Sequence, residues 1–133
     1  MTGLWMDLDV EELAGDQLAV ALDAAAQECS WGYRAAVGLI VEQGSWLYRW
    51  EFRQAAEAEV DEDGRVVAWV NWEEIDIEAP ASSGELRILH LARSLAGVPS
   101  TRPLCDLLTS LDDHNLARVL RAFHISARGT AAP

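Results

Sequence analysis

The stretch "WLYRWEF", residues 46–52, decides how the middle of the chain is read. Trp46, Tyr48, Trp50 and Phe52 stand at every second position, with Leu47, Arg49 and Glu51 between them. The alternation continues through Gln54, Ala56, Ala58 and Val60 against Arg53, Ala55, Glu57 and Glu59. A helix would scatter these sets around its surface, whereas a strand sends alternate side chains to opposite faces. Residues 46–60 therefore read as a long strand, bent or divided near Gln54, because "RQAA" is poor strand material. One face is aromatic; the other carries Arg49, Glu51 and Arg53 as a cross-strand ion network.

The neighbouring segments extend this into a meander. "RAAVGLIVE", residues 34–42, alternates Val37, Leu39 and Val41 on one side and reads as a preceding strand, with a turn at "EQGS". "DEDG" at 61–64 is the clearest turn, with Asp63-Gly64 suited to a type I′ hairpin or a glycine bulge. "RVVAWVNWEEI" at 65–75 is the return strand, with Val66, Ala68, Val70 and Trp72 on one face and Val67, Trp69 and Asn71 on the other. Neither of its faces is cleanly polar, so part of the strand is covered on both sides or one side meets a partner.

Helices flank the sheet. Residues 9–29 form the first, with Asp9 and Glu12 as a capping box and Leu13, Leu18, Ala21, Leu22 and Ala25 on one stripe. "SWG" at 30–32 ends it, with Gly32 permitting a left-handed turn. Residues 76–84 are a linker, and residues 85–127 hold three helices. Ser82 and Glu85 cap the first of these, Pro103 opens the second, and Ser110 or Asp112 starts the third, whose Leu116, Val119, Leu120 and Phe123 face inward. Residues 128–133 are a frayed tail. The expected fold is α+β in one domain: an N-terminal helix, a three- to four-stranded antiparallel meander over 34–75, and three C-terminal helices on one sheet face.

Charge narrows the function. The chain has 22 acidic and 10 basic residues, a net charge of −12, and every basic residue is arginine. Residues 1–66 hold 14 of the acids against 4 arginines, so the imbalance belongs to the front half. Such a field repels phosphates and anionic lipid heads, which argues against nucleic acid and membrane partners and favours a basic protein. No apolar run is long enough to span a membrane, and "MTGLWMDLDVEELAG" is not a signal peptide, so the cytoplasm is the expected compartment.

Catalytic patterns are missing. There is no phosphate-binding glycine loop, no dinucleotide fingerprint and no calcium loop. Cys29 and Cys105 match no metal or redox spacing. His114 and His124 share a helix with about 15 Å between their backbones, too far to share a metal. No metal and no cofactor is expected.

The leading expectation is a non-catalytic, acidic, protein-binding domain: an adaptor, a small chaperone or an inhibitor of a basic partner. Trp69 and Trp72 belong to its interface, and the two-sided third strand suggests a homodimer. The alternative is a domain binding a small apolar ligand, or an enzyme, in which Trp46, Tyr48 and Trp50 line a cavity with His90 or His124 at its mouth. An acidic mimic of nucleic acid is a third reading. An open face at Trp69 or Trp72 separates the first reading from the second, which requires a closed apolar cavity.

Overall fold

The structure, a computed structural model, describes residues 6–129. Its sheet is built on the hairpin read from the sequence. Strands β2 (Ala56–Val60) and β3 (Val66–Val70) pair antiparallel, from Ala56 opposite Val70 to Val60 opposite Val66. Gly64 has φ 78° while Asp63 keeps a negative φ, so the turn is a glycine bulge rather than type I′. The Asp61 carboxylate accepts from the backbone N–H of Asp63 and Arg65 at 3.0 and 2.8 Å and from Arg65 Nε at 3.1 Å, which closes the turn locally. A short strand that the sequence reading missed, β1 (Met6–Leu8), pairs antiparallel with the other side of β2, giving the order β1-β2-β3.

The N-terminal helix is shorter than 9–29. Asp9 Oδ1 accepts from Glu11 N at 3.0 Å and caps only a 3-10 turn, Val10–Glu12. The chain extends at Leu13, and helix α1 runs Gly15–Ala26. Its buried stripe, Leu18, Ala21 and Leu22, covers the sheet face carrying Ala58, Ala68 and Val70.

The central segment corrects the meander. Residues 34–42 are not a strand but the body of helix α2, Trp31–Gln43. Ala35, Ala36, Val37, Leu39 and Ile40 are all buried there, because α2 packs against α1 and two later helices at once. A helix buried on several sides shows no clean 3.6-residue stripe, and a short apolar run then passes for a strand. "SWG" begins this helix instead of ending the previous one: Ser30 Oγ accepts from Tyr33 N at 3.2 Å. Gly32 lies in its first turn, where an added Cβ would stand 2.4 Å from the Leu95 carbonyl oxygen, so this position needs closeness rather than a left-handed turn.

The aromatic run is not a strand either. Ser45–Tyr48 is a 3-10 turn, Arg49 is extended, and Trp50–Arg53 is a single helical turn, α3. Trp46 and Phe52 are fully buried, whereas Tyr48 and Trp50 are 71% and 63% exposed. The extended residue between two tight turns resets the helical phase, so the two-residue period comes from no common face.

The C-terminal helices follow the sequence closely: α4 (Ser83–Leu95), α5 (Leu104–Leu108) and α6 (Asp113–Arg128). Ser82 Oγ accepts from Glu85 N and Glu85 Oε1 from Ser82 N, at 3.2 and 3.1 Å, which completes the capping box at α4. Asp112 Oδ1 caps α6 by accepting from Asn115 N at 2.7 Å. Helices α4 and α6 pack on α2 rather than on a sheet face, which corrects the expected layering; α1 is the sheet's main cover. The fold remains α+β, a small antiparallel sheet under a helical layer. Arg128 still belongs to α6, and residues 130–133 of the expected tail lie outside the described residues.

Candidate functional site

The alternation of β2 divides the sheet's two faces. Ala56 and Ala58 turn towards α1, and Glu57 and Glu59 turn away from it. Cross-strand partners share a face, so Asp7 of β1 stands beside Glu59, and Trp69 of β3 stands beside Glu57. Val67, on the same side, is buried, so this outer face is open chiefly along β1 and β2. There it forms an open groove of about 500 Å³, lined by Asp7, Asp9, Glu11, Glu57 and Glu59 with Arg53 and Gln54. Beyond Glu57 a second open groove, about 380 Å³, runs along Trp69, Asn71 and Glu73 to Gly97 and Val98.

Among the described residues the five carboxylates of the first groove form no ion pair. The three ion pairs among the described residues use Glu85, Asp61 and Glu42. The groove's one cation, Arg53, is buried and spent on backbone. Its Nε donates to Leu47 O at 2.7 Å, and its Nη1 to Val10 O and Leu13 O at 3.1 and 2.9 Å. Neither Arg49 nor Arg53 belongs to a cross-strand ion network. Arg53 instead ties the loop carrying Glu11 to the strand carrying Glu57. Like charges held side by side cost stability, and a cationic ligand removes that cost.

Arg49 serves a separate polar junction. It grips Glu85 through Nε and Nη2 at 3.0–3.2 Å and donates Nη1 to Pro80 O at 3.1 Å. Ser45 Oγ donates to Glu85 Oε2 at 2.7 Å, and Trp46 Nε1 donates to Glu85 O at 3.0 Å. Burial alone would raise the Glu85 carboxyl, but the hydrogen bonds from Ser45, Ser82 and Arg49 outweigh it and hold the pKa at about 2, against an ordinary 4.5. A depressed carboxyl stabilises the fold above its unfolded pKa and loses that contribution as pH falls towards its folded one. Glu85→Gln is therefore expected to cost on the order of 2 kcal/mol at neutral pH, with the difference from wild type closing between about pH 4.5 and pH 2. Urea unfolding at several pH values measures this; a gap independent of pH would contradict it.

The other residues singled out from sequence do not converge. Trp46 and Trp72 are core residues, and Trp72 meets Tyr33 and Phe52 edge-on at centroid distances of 6.0 and 6.3 Å. Tyr48 and Trp50 stand in solvent, so Trp46, Tyr48 and Trp50 enclose no common space. His90 is buried on α4, its Nδ1 without a hydrogen-bond partner. Burial, then Arg102 and Arg93, push its pKa below the usual histidine range. His124 lies half-buried on α6. Of the seven candidates Trp69 and Trp72 line an open groove, and Trp69 stands next to a carboxylate. The most apolar groove, about 410 Å³, is lined by Leu13, Val20, Ala21 and Val66 with no aromatic ring, and it too is open.

Asp7, Asp9 and Glu11 escaped the sequence reading because their role depends on β1, whose three residues carry no periodic signal. Cys29 is a free thiol donating to Ala25 O at 3.4 Å, with burial raising its pKa; Cys105 is free and exposed. Among the described residues no group of three or more His, Cys, Asp or Glu side chains is placed to hold a metal ion, and no helix is long and apolar enough to cross a membrane. The chain matches no family model, and comparison with curated proteins and with solved structures finds no match.

Proposed function

We propose that this chain is a non-catalytic protein-binding domain whose outer sheet face takes an arginine- or lysine-rich segment of a basic partner, in an adaptor, chaperone or inhibitor role. The observation that carries this reading is the open groove of five carboxylates that form no ion pair among the described residues. Trp69 stands in register with Glu57 on the same face. An open groove suits an extended peptide better than a small molecule, which needs enclosure. Recognition of this kind gains association rate and selectivity from charge more than it gains affinity.

Calorimetric titration with a short arginine-rich peptide tests the reading. Saturable binding is expected, weakening with salt as surface charges are screened. Glu57→Gln with Glu59→Gln should weaken it about tenfold, while leaving the fold intact because neither carboxylate has an internal partner. No saturable binding, or binding indifferent to the double substitution, would sink the proposal.

A further inference from the structure

Helix α6 lies on the far side of α2 from the sheet, and part of its surface has no partner. Val119 and Ala122 face inward. Leu116 and Leu120, expected in the core, are instead 39% and 57% exposed, and Ala117 is exposed between them. Asp113, Ala117, Leu120 and His124 recur at spacings of four, three and four residues. That is the 4-3-4 spacing of a helix-pairing seam, apolar in its middle at Ala117 and Leu120 and polar at both ends.

We infer that α6 pairs antiparallel with α6 of a second copy of this chain, with a two-fold axis through the middle of the seam. A two-fold contact must be self-complementary, residue i meeting j and j meeting i. The seam satisfies this in one register. Ala117 stands opposite Leu120 of the second copy, so that on each side a large side chain packs over a small one. The same register places Asp113 opposite His124 of the second copy, an acceptor against a donor at both ends of the contact. Antiparallel alignment also brings the two Asp residues at the start of one α6, Asp112 and Asp113, towards the basic end of the other, which carries His124 and Arg128.

Net charge favours this surface over others. Two chains of net charge −12 repel, and association is least opposed where the acids are farthest away. Residues 67–133 carry 8 acids against 6 arginines, so α6 belongs to the nearly balanced half. The dimer expected from sequence used the third strand. There the backbone N–H of Val70 already donates to Tyr33 Oη at 3.0 Å, which takes up part of that edge. Pairing through α6 leaves both acidic grooves free, and it does not depend on what they bind. One helix pair makes a small interface, so the dimer is expected to be weak and to form only as concentration rises.

Sedimentation equilibrium over a wide concentration range tests the inference. The wild type should shift from monomer to dimer as concentration rises, and Leu120→Glu and Ala117→Glu should each remain monomeric. Both sites are exposed, so circular dichroism and melting of dilute samples should match the wild type. Asp113→Arg should weaken the dimer at least tenfold, and Asp113→Arg with His124→Glu should restore it. A wild type that stays monomeric throughout, or a dimer unaffected by the seam substitutions, overturns the proposal. A dimer that the double charge exchange does not restore overturns the antiparallel register.

Discussion

Replacing Trp46 with alanine is expected to destabilise the protein by about 3–5 kcal/mol, enough to unfold a marginal domain. The indole is fully buried, its Nε1 holds the Glu85 carbonyl at 3.0 Å, and the Arg49 guanidinium lies 5.3 Å above its ring. Truncation leaves a cavity, removes the hydrogen bond and frees the arginine that grips Glu85, so α4 loses its anchor to the segment before α3. Trp50→Ala, four residues along and 63% exposed, should cost about 0.5 kcal/mol or less. Denaturant unfolding of both variants provides the contrast. Equal losses would mean that the two tryptophans share one buried face, as a strand would require, and would contradict the break at Arg49.

Arg53→Met is expected to cost about 3 kcal/mol or more, although methionine fills much of the same volume. The residue is 9% exposed, and its guanidinium donates to three backbone carbonyls, those of Leu47, Val10 and Leu13. A thioether takes the guanidinium donors from Leu47 O and Leu13 O, and leaves Val10 O only its bond from Leu13 N–H at 3.0 Å. Arg53→Lys keeps the charge but not the planar fork, so it should fall between wild type and Arg53→Met. Because Arg53 holds the loop with Glu11 against the strand with Glu57, Arg53→Lys should also weaken peptide binding at temperatures where it remains folded. A loss under 1 kcal/mol in Arg53→Met would show that water satisfies those carbonyls.

Features with a local physical cause could be read from the sequence. The hairpin is set by "DEDG" between alternating runs, α4 by the Ser82–Glu85 box, and α6 by the Asp112 cap, and each stands where its turn or cap chemistry puts it. The misreadings concern residues whose conformation is settled by tertiary packing. Helix α2 is buried on several sides, so its apolar residues follow no single stripe. The aromatic run mixes two core anchors, Trp46 and Phe52, with two surface rings, and only the extended Arg49 explains the pattern.

The candidate face was half legible. Glu57 and Glu59 could be read from the β2 alternation, and Trp69 from β3. The other acids depend on β1, a strand of three residues recognisable only from its pairing with Val60, Glu59 and Ala58. Arg53 reads from sequence as a wet-face charge. Its burial follows from the helical turn that replaces the strand, which swings it inward beside Phe52.

The central claim, that the acidic outer face is the binding surface, is tested most directly by following backbone amide resonances as the arginine-rich peptide is added. Shifts confined to Asp7–Glu11, Glu57–Glu59 and the Trp69 indole, absent at high salt, are the result the account predicts. Shifts centred on Leu13, Val20 and Val66, or spread over the helices with the sheet unmoved, would contradict it.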